Sequence, residues 1–202
     1  MKRSGGLPAV VVVALVLALV VPVALGLTAC RAAAAPTDWI LAGSAPADYE
    51  TGRDTAVLHS GTASAFLVAK AAKPKGFGTL MQMFAPRDFR GQRVRLTAWV
   101  KSENVADWAA VWMRVDGPGG TQLAFDNMQK RPIKGTTDWT KVEIVLDCAA
   151  EAQNLAFGVL LSGAGKVWLD DVTFAVVTAD VPTTGESAPP PAQEPANLDF
   201  EK

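Results

Sequence analysis

Two tryptophans stand beside charged residues in segments that otherwise alternate between apolar and polar. In residues 93–101, Val94, Leu96, Ala98 and Val100 share one parity, and Arg93, Arg95, Thr97, Trp99 and Lys101 share the other. In residues 109–116, Val111, Met113 and Val115 oppose Trp112, Arg114 and Asp116. Successive side chains of a strand point to opposite faces. If the apolar parity faces a core, both rings lie on the other face, next to charge. An aromatic plane flanked by hydrogen-bonding groups suits a sugar ring. The sugar's C–H face stacks on it while its hydroxyls meet Arg, Asp, Asn or Gln. Asp126, Asn127, Gln129 and Arg131 follow in a segment expected to cross that face. The candidate ligand-binding set is therefore Trp99, Trp112, Arg114, Asp126, Asn127 and Gln129. The competing reading buries both rings beneath residues 130–135, with Asp and Asn capping loops.

Other chemistry is sparse. His59 is the only histidine. The chain has no Gly-x-Ser-x-Gly, no His/Cys spacing for a metal and no phosphate loop. The expectation is a non-catalytic protein. Cys148 closes a strand-like segment and lacks nearby basic residues that would favour a thiolate, so it reads as structural. Trp139 and Trp168 read as packing residues. With 19 Lys+Arg against 20 Asp+Glu, no basic field exists to attract nucleic acid.

The elements that must position these residues read as strands. Strand patterns fall at 62–69, 78–84, 93–101, 109–116, 122–126, 141–147, 154–162 and 167–177, with turns at 117–120 and 163–166. Residues 154–162 are apolar on both parities, as expected for a central strand. No segment shows a helical period. Many short strands between turn signals predict an all-β sandwich or barrel. The folded domain is expected at 38–179. Residues 180–202, with five of the chain's 13 prolines, read as a disordered tail.

Four segments, in order, resemble a galactose-binding-like β-jelly roll of the kind found in carbohydrate-binding modules. The segment from His59 to Ser64 resembles its early small-residue strand, and Val94 to Lys101 its central strand. The run from Gly135 to Val142 resembles its turn-Trp-strand, and Gly165 to Phe174 its closing strand. The resemblance implies a β-sandwich jelly roll with carbohydrate binding as its expected activity. Related jelly rolls hold a structural calcium near the final strand, which here implies Asp171 with Glu50 or Asp54 as ligands. The alternative is an Asp bonded into a turn. The run from Trp99 to Trp168 is also similar to a domain attached to some bacterial regulators, whose helix-turn-helix lies elsewhere in the chain. No such segment is read here, so regulation is not expected to carry over. The alternatives to a glycan-binding module are a structural or protein-interaction domain of the envelope, or a small-molecule sensor.

The N-terminus supplies an address. Lys2 and Arg3 precede an apolar run over residues 7–27, which ends at Leu27-Thr28-Ala29-Cys30. A basic start, an apolar middle and a small-residue cleavage site make a secretory signal. The Leu-x-Ala-Cys ending resembles the lipobox of bacterial lipoproteins. That implies a signal peptide over 1–29, lipidation at Cys30 with palmitate-type chains, and a tether over 30–37. The rival reading is an uncleaved transmembrane anchor, since the run is about long enough to span a bilayer. Both place the domain outside the cytoplasmic membrane, on the cell membrane or an outer membrane.

Overall fold

The computed structural model describes residues 35–187. The signal segment, Cys30 and the Pro-rich residues 188–202 lie outside the described residues.

One strand organises the molecule. β5 (Gln92–Asp116) runs for 25 residues and contains both segments in which the tryptophans alternate with apolar residues. Its first half pairs with β9 (Lys166–Val177) on one side and β7 (Ile133–Cys148) on the other. Its second half, Trp108–Asp116, pairs with β8 (Asn154–Ser162), and Met113–Asp116 also pair with β6 (Gln122–Asp126). The register against β7 slips between Val100 and Ala109. Bulges bend a strand and increase its twist, so β5 leaves one layer and enters the other. β3 (Ser64–Ala69) and β2 (Tyr49–Asp54) extend the first layer from β9. β4 (Phe77–Phe84) and β1 (Ile40–Gly43) extend the second from β8. The result is the expected all-β sandwich.

The core lies between the layers. Val94, Leu96, Ala98 and Val100 from the first half of β5 meet Val111, Met113 and Val115 from its second half, with Leu67, Ile144, Leu146, Val159, Leu161, Val167 and Leu169, all buried. Burying each such side chain stabilises the fold by about 1.5–3 kcal/mol. The alternation expected in residues 93–101 holds residue by residue. β8 is buried on both parities over Leu155–Leu161, as its composition implied.

Two strands within the expected domain, residues 38–179, escaped the pattern reading. β2 carries Glu50, Thr51, Arg53 and Asp54 and has no apolar alternation. It is held by its ladder to β3, by the buried Tyr49 ring and by polar groups. The Tyr49 hydroxyl donates to the Gly76 carbonyl at 2.6 Å, and the Thr51 hydroxyl to the Phe66 carbonyl at 2.6 Å. β1 is an edge strand of four residues, too short to show a period.

The domain also runs past its expected end at 179. The Arg93 guanidinium donates to the carbonyls of Ala179 and Val181, both at 2.7 Å. The Thr184 N–H donates to the Val145 carbonyl. β10 (Glu186–Ser187) then pairs with β6. Residues 180–187 are thus a strap across the sandwich, which corrects the expectation of disorder for that part of the tail. Proline bars helices and central strands, but an extended segment can still bond to an edge.

On the outer face of the first layer, Lys166 lies 4.5 Å above the Phe66 ring and 4.3 Å above Trp168. Asp54 Oδ2 accepts the Trp168 indole N–H at 2.9 Å. Burial works against the Asp54 carboxylate. The bonds from Trp168 and from the Val57 and Ala56 N–H groups, with Lys166 nearby, outweigh it and hold its pKa at about 2.

Candidate functional site

The outward parity of the second layer builds a groove. Trp108, Trp112 and Arg114 of β5 face away from the core residues Val111, Met113 and Val115. Trp112 pairs opposite Gly158 of β8. Its indole N–H reaches Thr79 Oγ1 of β4, one strand further on, at 2.8 Å. The ring therefore lies across β8, where Gly158 has no side chain to block it. Thr79 passes the bond on, donating to the Val159 carbonyl at 2.9 Å. Trp112 is 8% exposed and forms floor rather than wall. Around it, Phe77, Trp108, Arg114, Phe125, Asn127 and Leu160 complete a groove of about 210 Å³.

The polar groups at this groove are held in place. Arg114 Nε and Nη2 donate to the two oxygens of Asp116 at 2.7 and 3.1 Å. Asn154 Nδ2 donates to the same carboxylate at 3.0 Å. A forked arginine–carboxylate pair fixes the guanidinium plane. Asn127 Oδ1 accepts the Gln129 N–H at 3.2 Å. Asp126 is buried, and its oxygens accept Arg131 Nη1 and Nη2 and the Met128 N–H.

Of the six candidate ligand residues, Trp112, Arg114 and Asn127 meet in the groove. Asp126 and Gln129 lie beside it, in a polar hollow of about 530 Å³ that shares Phe125 and Asn127 with the groove. Trp99 stands apart. It belongs to the first layer, and its outward face looks away from the groove. The two rings sit on one strand, but the bend in β5 turns their faces to opposite sides of the sandwich.

What covers Trp99 is His59. The two rings stack with centroids 3.9 Å apart and planes 16° apart, and Trp139 meets His59 edge-on at 5.8 Å. Asp170 Oδ2 accepts the His59 and Ser60 N–H groups at 2.8 and 3.2 Å. Asp171 takes the Ser60 hydroxyl and the His59 imidazole, both at 2.6 Å. These two bonds hold the Asp171 carboxyl below the usual carboxylate range. Asp171 therefore clasps a loop, which is the alternative to a calcium ligand.

Of the two expected partners of Asp171, Asp54 is engaged by the Trp168 indole and the Ala56 and Val57 N–H groups, and register separates Glu50. Glu50 pairs opposite Val68, and Val68 opposite Lys166. Asp171 lies five residues further along β9, about 16 Å of strand. Glu50 and Asp171 do not meet at one ion. Among the described residues no group of three or more His, Cys, Asp or Glu side chains is arranged to hold a metal.

Trp108, Phe77, Phe125 and Leu160 were not among the sequence candidates. Trp108 shares the parity of Trp112 and was findable by extending the alternation back by four residues. Phe77 and Leu160 come from other strands, and only pairing brings them in. A further hollow of about 520 Å³ is lined by Arg93, Asp147 and Cys148. Arg93 is held there by Asp147 and the strap carbonyls. The Cys148 thiol is buried, which pushes its pKa up.

Comparison with known proteins places the fold. No protein-family model matches the chain. It is 42% identical over 166 residues to YbfP of Bacillus subtilis (strain 168), an uncharacterized HTH-type transcriptional regulator. The match takes in 81% of this chain and 56% of the regulator, so the chain spans little more than half of that relative's length. Among solved structures, the CBM22-1 xylan-binding domain of Paenibacillus barcinonensis Xyn10C aligns with a TM-score of 0.51 at 11% identity. That alignment covers 73% of this chain and 91% of the module. A second CBM22 xylan-binding domain aligns at 0.50 and 14% identity, over 69% of this chain and 87% of that one. The active domain of the bacteriophage CBA120 tailspike protein 4 aligns at 0.52 and 14% identity, over 70% of this chain but 20% of the tailspike. At these identities the likeness is one of fold: a carbohydrate-binding-module jelly roll.

Proposed function

We propose that the domain is a non-catalytic glycan-binding module, and that the groove over Trp112 is where the sugar lies. The observation that carries this is the floor itself. An indole is held flat across β8 by Thr79, with Trp108 and Phe125 beside it and a fixed guanidinium at one end. An apolar cleft with a few placed polar groups is the usual form of a ligand site. The xylan-binding modules that share the fold suggest xylan as the first glycan to try.

The test is binding of the full-length chain, in detergent, to an array of plant and bacterial oligosaccharides. Trp108→Ala is expected to weaken the best ligand by about 30-fold or more, the effect of losing a central tryptophan contact. Trp99→Ala is expected to leave binding within about twofold, because its ring lies under His59 on the other layer. Equal losses in both variants, or no glycan bound at all, would remove the groove from this role. A second reading has its own observation. Ile40 and Met83, 50% and 53% exposed, lie on the same outer face. An array with no bound glycan, together with a protein crosslinked at Met83, would favour a protein partner.

We also propose that Cys30 anchors the domain to the outer side of a membrane. Supporting this are the apolar run before it and the Leu27-Thr28-Ala29-Cys30 ending. Several acyl chains at about 0.8 kcal/mol per buried methylene make such an anchor effectively permanent. Intact-mass analysis of the membrane fraction should find a chain that begins at Cys30 and carries acyl mass. An unacylated chain that begins at Met1 would sink the idea and favour the spanning anchor.

A further inference from the structure

The groove does not end at its aromatic floor. Phe125 and Asn127 line it and also line the polar hollow beyond. Gln129, Lys130 and Arg131 also line that hollow, with Thr184 and Gly185 of the strap. Gly185 is what allows the strap so close, since a Cβ there would stand 2.3 Å from the Phe125 carbonyl oxygen.

Among the described side chains, charge in this region does not cancel. Arg114 is balanced by Asp116, and Arg131 by Asp126. Asp126 is the only carboxylate lining the hollow among the described residues, and it is fully engaged by Arg131 and the Met128 N–H. Lys130 is exposed and makes no ion pair or hydrogen bond among the described residues. The Asn127 amide nitrogen and the Gln129 side chain likewise have no hydrogen-bond partner among the described residues. Among the described residues, the hollow thus holds one uncompensated ammonium and several open donors, next to an aromatic platform.

We propose that this hollow takes an anionic sugar unit, carboxylated or phosphorylated, of a glycan whose adjoining neutral unit lies over Trp112. The inference rests on the glycan-binding reading above and narrows it to acidic polysaccharides. Lys130 supplies the charge, and Asn127 and Gln129 donate to the ring hydroxyls or to the anion. The strap forms one wall of the site, through Thr184 and Gly185. A lysine meets an anion as a point charge and does not select its shape, so carboxylate and phosphate share the chemistry.

The experiment uses the full-length chain in detergent against three sets of oligosaccharides on one array: neutral, uronate-bearing and phosphate-bearing. The best acidic ligand is expected to bind about three- to tenfold tighter than its neutral counterpart at low salt. That advantage should fade as the screening length shrinks below about 10 Å. Lys130→Gln should bring the acidic-to-neutral ratio to about one, and Lys130→Arg should retain it. Uronate or phosphate as the preferred set names the source of the anion. Neutral glycans bound as well as acidic ones, or a ratio untouched by Lys130→Gln, overturns the acidic ligand and leaves the groove standing. No glycan bound in any set overturns both.

Discussion

Gly158→Ala should destabilise the domain by about 3 kcal/mol, the upper end of overpacking costs. An alanine Cβ would stand 2.2 Å from the Leu80 carbonyl oxygen and 2.9 Å from Met81 Cα. Both are backbone atoms of β4, which is paired to β8 over eight residues and cannot step aside without breaking that ladder. For a domain of this size, the loss corresponds to a melting temperature lower by roughly 6–12 °C. Gly119→Ala is the comparison. Its φ is +66°, and nothing lies within 4 Å of the added carbon, so only the left-handed strain of about 1–2 kcal/mol remains. Calorimetry of the two variants should rank them in that order. A Gly158→Ala protein that melts within about 2 °C of the parent would mean that the two strands are not packed this closely.

Trp112→Ala should cost still more, about 3–5 kcal/mol, as deletion of a buried large aromatic does. It should also abolish glycan binding. The ring fills the groove floor and is tied to Thr79, so its removal leaves a cavity and takes a donor from the threonine hydroxyl. Trp112→Phe separates the two roles. It keeps an aromatic surface and most of the volume, and it loses the indole bond for about 1 kcal/mol. Denaturant titration should place Trp112→Phe between the parent and Trp112→Ala, with glycan affinity reduced but measurable. If Trp112→Ala unfolds at the parental denaturant midpoint, the ring is not the floor described, and the groove loses its platform.

The position of Trp99 shows where the sequence stopped being legible. Both tryptophans lie on the polar parity of their segments, as the alternation predicts. Parity says which face of a strand a side chain takes, but not which layer that strand belongs to. Residues 93–101 and 109–116 are one strand, and the slips between Val100 and Ala109 carry it from one layer to the other. A bulge is a local backbone event in polar residues such as Glu103 and Asn104, and it leaves no trace in an apolar pattern. Trp108 was the reverse case. Its parity was readable, but its neighbours Phe77 and Leu160 were not, because they come from β4 and β8 and sequence distance does not encode pairing. His59 and Asp171 lie 112 residues apart in the chain. That they meet at 2.6 Å and shut one face of Trp99 follows only from the closing of β3 against β9.

The chain by itself determined the all-β class, the inward residues of most strands, the outward placing of both tryptophans and the central position of β8. These follow from alternation, which is a property of each strand alone and is set by the two-residue period of an extended backbone. Only the tertiary structure decided that Trp112 rather than Trp99 floors the groove, that Glu50 and Asp171 lie apart, and that residues 180–187 bond to the sandwich. Each of these depends on register and on the bend of β5. Both are set by the packing of strands far apart in sequence, where the energy of contact belongs to pairs of segments and to no segment alone.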